Sequence, residues 1–538
     1  MKSWTNMSQH KHLWALITAI VVLIGMGGCD HGFQQLNTNP TQVTNMNAKY
    51  LFPTNELKVA GGRYEIWRMD LIHLEEWVQQ LSSPSWGADR YIPSDGYATA
   101  YWQTAYTNYV QGIQDIIKQL RTDSTANSNQ LAIAKIWRVY IFSRITDVFG
   151  DIPYTQAGTG LTSQIYQPKY DTQQAIYTDM ISQLEAATSE LDPNKASWGE
   201  NDIIYNGDIG KWKRFGNSLL MRLGMHLSKV DPAAAKAAVS KAFSGGVMMS
   251  NDDNCYIAQY GQSSQGILRS GIGEVFNDFG VTGHGFRCSD ELINRMKQMS
   301  DPRMFIYAGV YNNNGDDVTP ADPDSMMGLQ NGLPADSLTN VDTYNFAQPN
   351  RDIMVRYDSP TVFMTYAEVS FLEAEAAHRG WISGGESAAQ TYYNDGVTAA
   401  LKMLTIYSPD KAVVTDTQVS NYLSQPYVDY NSAKDYDVDR GAGTVADVKL
   451  DKIITQKWLA LYLNGFEAYT EWRRTGYPVL TPVNYNPDAL QYTNGTIPRR
   501  VMYPTEEQSL NGTNYQEAVG RLSGGDKETS RIWIDPQK

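Results

Sequence analysis

The sequence predicts a mainly α-helical fold in which paired helices are overlaid by long irregular loops. Apolar residues recur at the spacing of a helix through most of the chain. Two stretches, at about 246–360 and 476–538, instead carry Gly, Asn, Asp, Pro and Tyr with no sustained period. Loops of this length on a compact scaffold usually bind or cover something, so we expect them to carry the function.

The clearest helical pattern lies in residues 129–149. One face of this helix is formed by apolar residues at positions i, i+4, i+7, i+8 and i+12, which are Ile133, Trp137, Tyr140, Ile141 and Ile145. Gly150 follows and is expected to end the helix. Residues 361–379 repeat the pattern, beginning with Val362, and Gly380 stands where the end of that helix is expected.

Further amphipathic stripes predict helices at about 55–81, 97–121, 172–190, 211–228, 232–243, 386–404 and 446–474. The last of these is expected to be interrupted near Asn464 and Gly465, because glycine weakens a helix interior. Helix pairs joined by short turns indicate tetratricopeptide-like packing. The roughly 34-residue consensus of that repeat cannot be placed in register from one unit to the next.

The N-terminus has the layout of a cleavable secretory signal. Lys2 and Lys11 precede an apolar run over residues 13–26, which is too short to span a bilayer comfortably. Two glycines stand directly before Cys29, and a lipoprotein signal peptidase accepts small residues at this place. The alternative is a hydrophobic anchor followed by an incidental cysteine.

This layout sets the predicted domain boundaries. Residues 1–28 are expected to be removed as a lipoprotein signal peptide, which leaves Cys29 as the lipid-bearing N-terminus. Residues 29–48 contain turn formers and little periodicity, so we expect an extended leader there. Residues 49–538 are then expected to form the folded domain, tethered to a membrane by its lipid.

Composition narrows the class of partner. The chain has 44 Lys and Arg against 58 Asp and Glu, a formal net charge of −14, which argues against nucleic acid as a partner. It also has 34 Tyr and 13 Trp. These side chains combine a flat apolar face with a polar tip, which suits stacking on sugar rings or gripping peptides, although most of them are expected to serve packing.

Besides Cys29, the chain contains only Cys255 and Cys288. An exported compartment would permit a disulfide between these two residues. The alternative is a pair of buried thiols, and the sequence gives no distance that would decide between them.

Several passages resemble, in the right order along the chain, the SusD/RagB family of nutrient-binding outer-membrane lipoproteins, in particular its SusD-like branch. They are residues 29–40 (CDHGFQQLNTNP), 146–154 (TDVFGDIPY), 220–232 (LMRLGMHLSKVDP), 456–478 (QKWLALYLNGFEAYTEWRRTGYP) and 499–507 (RRVMYPTEE). The set spans nearly all of the chain after the predicted signal. Each passage is scaffold-like, so the resemblance transfers no ligand-binding residue.

The resemblance implies a helical core with tetratricopeptide-like pairs under irregular loops, no catalytic activity and no cofactor. It implies a lipid anchor in the outer membrane with the fold facing outward. It also implies a partner, because family members act as lids over a SusC-like TonB-dependent β-barrel transporter. They catch oligomeric nutrients, oligosaccharides or peptides, and deliver them into that transporter.

The ligand candidates lie in a loop-like stretch, residues 84–91, and at the start of the helix that follows it. An aromatic shelf flanked by an acid and a base could stack on a sugar face and hydrogen-bond its hydroxyls. Trp102, in the same helix, is expected to pack in the core. The candidates are Trp86, Asp89, Arg90, Tyr91, Tyr97 and Tyr101.

The alternation Asp435-x-Asp437-x-Asp439 is similar to the first half of a calcium-binding loop. Glycine falls at the seventh position, Gly441, and the twelfth is Ala446 where a bidentate glutamate is needed. A solvated loop is therefore favoured, and we predict no metal site. A structural calcium built from distant ligands stays open.

An exported glycan- or peptide-cleaving enzyme is the alternative function, because a glycosidase needs only two carboxylates at the correct separation. The chain has no His-Glu-x-x-His motif, no Gly-x-Ser-x-Gly elbow and no phosphate-binding glycine loop. A structural repeat protein that organises membrane complexes is a third alternative. We predict a non-enzymatic nutrient-binding lipoprotein at the cell surface.

Overall fold

A computed structural model describes residues 46–261, 266–278, 285–339 and 341–537. The predicted signal peptide, Cys29 and nearly all of the leader lie outside these ranges. From Ala48 onward the chain forms one compact unit. In the described part, no helix is long and apolar enough to cross a membrane.

The fold is mainly helical, which confirms the predicted class. In the described ranges, fifteen α-helices have eight residues or more: α1 Ala48–Ala60, α2 Asp95–Thr104, α3 Gln111–Leu120, α4 Ser128–Phe149, α5 Gln173–Glu190, α6 Ile209–His226, α7 Pro232–Gly245, α8 Gly271–Asp278, α9 Asp290–Gln298, α10 Tyr366–His378, α11 Gly385–Lys402, α12 Asp416–Leu423, α13 Val448–Ala460, α14 Gly465–Thr475 and α15 Gly512–Arg521. The predicted interruption near Asn464 separates α13 from α14.

The stretch predicted as one helix at 55–81 is divided. Helix α1 ends at Ala60, and Gly61, with φ of +82°, turns the chain. A short helix, Arg63–Glu65, then continues as a π-helix over Ile66–Glu75. We call Ile66–Glu75 the π-helical segment. Wide helical turns of this kind are rare and are often found at functional sites.

The helix predicted at 361–379 begins later than expected. Thr361–Met364 form a strand, so Val362 belongs to a sheet and not to a helical stripe. Thr365 starts α10, because its hydroxyl accepts a hydrogen bond from the backbone N–H of Glu368 at 3.1 Å. A four-residue apolar run does not distinguish a strand from a buried helical turn by its period alone.

Aspartate caps start several of the core helices. Asp208 accepts from the N–H of Lys211 at 2.9 Å and starts α6, and Asp231 accepts from Ala234 at 3.0 Å directly before Pro232 of α7. Helices α6 and α7 pack on each other as a pair, as do α10 and α11. These pairs, with short connections, are the predicted tetratricopeptide-like units. The predicted irregular stretches also contain helices, namely α8, α9 and α15.

The strands are short and form four two-stranded antiparallel sheets, with the pairings β1–β5, β2–β3, β4–β8 and β6–β7. They are β1 Leu81–Ser82, β2 Ile152–Pro153, β3 Tyr170–Asp171, β4 Cys255–Ile257, β5 Arg287–Cys288, β6 Ala308–Gly309, β7 Gln348–Pro349 and β8 Thr361–Met364. Cys255 and Cys288 lie in different sheets and are free, buried thiols. Of the two alternatives that the sequence left open, a disulfide and two buried thiols, the structure has the two buried thiols.

Charged side chains from five helices meet in the interior, and we call this set the buried charge network. Glu467 lies at its centre, 3.3 Å from the nitrogens of Arg222, His226 and Lys457. Burial alone would raise the pKa of Glu467, but these three neighbours lower it to about 2. The other members are Asp147 of α4, Glu368 and Glu375 of α10, and Glu471 and Arg474 of α14.

Glu467→Gln is expected to lower the free energy of unfolding by about 3 kcal/mol, because it removes one buried negative charge from a network in which Arg222 and Lys457 then keep Glu368 and Glu471. The matched control is Glu185→Gln, which breaks an exposed 2.6 Å pair with Lys241 and is expected to cost at most about 1 kcal/mol. Urea unfolding followed by circular dichroism measures both. Equal losses in the two variants would contradict the network's role.

A second ionic contact joins three helix ends at the surface. His378, at the end of α10, lies 2.7 Å from Glu386 of α11 through Nδ1 and 2.7 Å from Asp447, the N-cap of α13, through Nε2. Burial alone would lower the pKa of His378, but the two carboxylates raise it overall. Both bridges are complete only when the imidazole is protonated, because each ring nitrogen then donates.

The pKa of His378 is higher in the folded protein than its value of about 6.5 in the unfolded chain. The contact therefore contributes its full stability below about pH 6.5, and this contribution is lost as the pH rises through the folded-state pKa. His378→Asn is therefore expected to flatten the fall in unfolding free energy above about pH 6.5. Lys449→Ala removes the lysine that pairs with Glu386 at 2.6 Å, and should lower stability without changing this slope. Urea unfolding at several pH values measures the slope of unfolding free energy against pH. A slope in His378→Asn equal to that of the wild type would contradict the role of the contact.

Candidate functional site

The stretch at 84–91 is a tight turn that is anchored to distant parts of the chain. Gly87 has φ of +83°, Ala88–Arg90 form one turn of 3₁₀ helix, and Tyr91 has φ of +59°. The Asp89 carboxylate accepts from the Ser82 hydroxyl at 3.2 Å and from the N–H of Gly332 at 3.1 Å. These bonds turn the acid inward.

Burial corrects the predicted ligand shelf for four of its six residues, Asp89, Arg90, Tyr91 and Tyr101. The hydroxyl of Tyr91 accepts from the N–H of Val483 at 3.1 Å, and its ring is only 1% exposed. The ring of Tyr101 packs against Phe466 at 5.4 Å. These side chains serve packing in the structure and present no face to a ligand.

Trp86 and Tyr97 remain partly exposed, and the structure brings both of them to Trp67. The centroid of the Trp67 ring lies 5.0 Å from that of Trp86, in an edge-to-face arrangement, and 5.5 Å from that of Tyr97. We call Trp67, Trp86 and Tyr97 the aromatic cluster. All three rings keep part of their surface in solvent, so the cluster is the part of the predicted shelf that a ligand can reach.

Trp67 was not predicted as a ligand candidate. It lies in the π-helical segment, within the stretch that the sequence presents as one amphipathic helix, where an aromatic residue is expected on the core face. The available signal was the pair Gly61 and Gly62, which breaks that helix and turns the following residues toward the surface.

Polar groups form one edge of the aromatic cluster. The Arg68 guanidinium lies 4.9 Å from the ring centroid of Tyr64 and 5.8 Å from that of Trp67, within the range of a cation–π contact. Arg63 pairs with Asp278 at 3.2 Å, and Asp278 also accepts from the Tyr357 hydroxyl at 2.6 Å. Arg68 therefore places a cation beside the Trp67 ring, and Arg63, 4.9 Å from the centroid of the Tyr64 ring, connects this edge to Asp278.

The arrangement can stack on the ring of a sugar and hydrogen-bond its hydroxyls. The indole Nε1 of Trp86 and the Nε of Arg68 are buried N–H donors with no acceptor among the described residues. Both atoms are enclosed by protein, so neither offers a hydrogen bond to a ligand at the surface. No pair of groups in the cluster is a nucleophile with its base, so the geometry suits binding.

Other groups of acids are occupied by basic partners. Asp437, in the calcium-like alternation, binds Arg295 at 2.7 Å and Arg440 at 2.8 Å. Ligand atoms of His226, Glu467 and Glu471 lie within 4.8 Å of one another, a spacing that a metal ion would accept. Lys457 and Arg474 of the buried charge network lie against these carboxylates.

An internal cavity of about 70 Å³ lies beneath this region and is lined by Asp70, Arg144, Tyr140 and Glu368, among others. Burial raises the pKa of Asp70 to about 7. Sites for small organic ligands usually measure about 300–1,000 Å³, so this cavity is too small for an oligosaccharide.

Comparison with protein families gives a single assignment. The family described as "Starch-binding associating with outer membrane", in its SusD-like branch, matches residues 40–504. The chain belongs to the SusD-like family. The match includes the aromatic cluster and every helix of the buried charge network. No curated protein sequence matches the chain.

Solved structures of SusD-like proteins resemble this fold. A chitin-binding protein is 32% identical with a TM-score of 0.77, over 91% of this chain and 100% of its own. A chitin-binding SusD homologue from Flavobacterium johnsoniae is 26% identical with a TM-score of 0.73, over 91% and 99%. A SusD homologue from Bacteroides fragilis is 25% identical with a TM-score of 0.73, over 92% and 100%. The fold and the family therefore agree with the resemblance seen in the sequence.

Proposed function

We propose that this SusD-like protein binds an oligosaccharide on the aromatic cluster at the cell surface. The observation that carries the proposal is the meeting of three partly exposed rings, Trp67, Trp86 and Tyr97, beside the cation of Arg68. Two structural relatives are described as chitin-binding, and the family as starch-binding, which supports a glycan over a peptide. The proposed role is binding without catalysis and without a cofactor.

The proposal includes a partner and an anchor. The predicted lipid on Cys29 would hold the protein in the outer membrane, in keeping with the family description. A SusC-like TonB-dependent transporter would take the captured glycan, with this protein acting as its lid. The signal peptide, the anchor and the transporter are inferred from the sequence pattern and the resemblance to the family.

Trp67→Ala and Trp86→Ala are each expected to weaken binding of chitohexaose by roughly tenfold, because each removes a stacking face. Isothermal titration against chitohexaose and maltoheptaose measures this loss and separates the two neutral glycans. Tyr166→Ala is the matched control, since it removes an aromatic ring that is 76% exposed elsewhere on the surface.

Trp86→Phe keeps a packed ring against Trp67 and should retain most of the affinity, which separates lost stacking from lost stability. Thermal unfolding of each variant checks the fold. If both alanine variants bind like the wild type, the cluster is not the glycan site. If tryptic peptides of casein bind and no glycan does, the ligand class is wrong.

The partnership is tested in detergent extracts of outer membranes from cells that produce the natural chain. The wild type is expected to co-purify with a large TonB-dependent β-barrel. Cys29→Ala is expected to leave the membrane fraction and lose the barrel, because the anchor supplies local concentration. Trp86→Ala should keep both, since it changes only the glycan site. Absence of any barrel from the wild-type preparation would contradict the lid role.

A further inference from the structure

A second concave surface lies among α3, α4, α5 and the turn at residues 154–159. It is an open cleft of about 620 Å³, which is within the range of small-ligand sites. None of its lining residues belongs to the aromatic cluster. Hydroxyl and amide groups of Tyr154, Thr155, Thr159 and Gln183 line it, so it is polar as well as concave.

Basic side chains outnumber acids in this cleft, although the chain as a whole carries a net charge of −14. Four bases line it, Lys118, Arg121, Lys135 and Arg138, against the two acids Asp115 and Asp179. Within the described ranges, Lys135 is the one base of the four that forms an ion pair, with Glu190 at 2.9 Å. For Lys118, Arg121 and Arg138, no carboxylate oxygen of a described residue lies within 4.0 Å of a side-chain nitrogen.

Arg138 is the fixed element of the cleft. Its guanidinium lies 4.6 Å from the ring centroid of Phe142 and 4.4 Å from that of Tyr154, and only 8% of the residue is exposed. It donates to the Tyr154 hydroxyl at 2.8 Å, and that hydroxyl donates to Asp179 at 2.5 Å. Arg138 is therefore held rigidly, with Lys118 and Arg121 on the exposed side of the same cleft.

A rigid arginine, two exposed bases with no described carboxylate oxygen within 4.0 Å and several hydroxyls favour a ligand with both negative charge and hydrogen-bonding groups. A long nucleic acid is disfavoured, because the acidic chain repels a polyanion beyond the cleft. A protein partner is disfavoured by shape, since pockets of this size hold small ligands and protein interfaces are broader. An anionic saccharide satisfies each of these conditions.

We propose that the cleft binds a saccharide bearing carboxylate or sulfate groups, at a site separate from the aromatic cluster. Arg138 would contact the anionic group, and Lys118 and Arg121 would add charge. The protein would then hold neutral and anionic parts of a glycan at two different surfaces. This inference goes beyond the proposed function and does not depend on the aromatic cluster.

The test uses isothermal titration of the lipid-free mature chain with three hexasaccharides: hyaluronan, which carries carboxylates, chondroitin sulfate, which adds sulfates, and neutral chitohexaose. The wild type is expected to bind at least one anionic hexasaccharide, more weakly at high salt than at low salt. Lys118→Ala/Arg121→Ala is expected to weaken that binding by roughly tenfold or more while leaving chitohexaose affinity unchanged. Both side chains are exposed, so the variant should fold normally.

Lys213→Ala/Lys236→Ala is the matched control, because it removes two exposed charges that lie outside the cleft. It should bind the anionic hexasaccharides like the wild type. Failure of the wild type to bind either anionic hexasaccharide overturns the inference, as does an equal loss in the two double variants. Displacement of the hexasaccharide by an equal concentration of inorganic sulfate would show a simple anion site. Loss of the co-purifying barrel in Lys118→Ala/Arg121→Ala, without anionic-glycan binding by the wild type, would assign the cleft to a protein contact.

Discussion

Glu467 lies in the protein interior as a carboxylate, and it is stable there because Arg222, His226 and Lys457 surround it. Burial of one charge without these partners would cost several kcal/mol. Helices α6, α13 and α14 must therefore pack in one register, because a shifted helix would leave a buried charge without its partner. Arg474 extends the same constraint to α10, because it makes two hydrogen bonds to Glu375 at 2.6 and 2.7 Å. The paired helices are specified by charge as well as by apolar packing.

This scaffold also positions the candidate site. Helix α14 begins at Gly465, where an added Cβ would lie 2.8 Å from the Asp70 carboxylate, so only glycine permits the observed approach to the π-helical segment. That segment carries Trp67. On α13, Trp458 donates to the carbonyl of Val78 at 3.1 Å, which fixes the chain just before the turn that carries Trp86. The aromatic cluster thus stands on elements held by the buried charge network.

Most helices could be predicted because their apolar periodicity and their end signals depend on residues that are close in sequence, as in α4 and the Gly150 that ends it. The exposure of single rings was not predictable in this way. Tyr91 is buried because its hydroxyl meets the N–H of Val483, a contact between residues 392 positions apart. Trp67 is partly exposed where the chain follows the turn at Gly61 and Gly62, although its spacing fits a core stripe. A loop-like stretch rich in aromatics therefore identified the region but not the ligand-facing residues.

The aromatic cluster and the cleft among α3, α4 and α5 differ in their electrostatics. This difference would affect which ligand each of them selects. At the aromatic cluster the best-placed cation, Arg68, lies over rings, so stacking dominates and neutral sugars are favoured. At the cleft, bases without carboxylate partners lie around hydroxyls, so charge dominates. Physiological salt screens exposed charges beyond about 8 Å, so the attraction of an anion to the cleft must act at short range on a chain that is acidic as a whole. Selection at the cleft would thus depend on close contact and would leave capture of neutral glycan at the aromatic cluster unaffected.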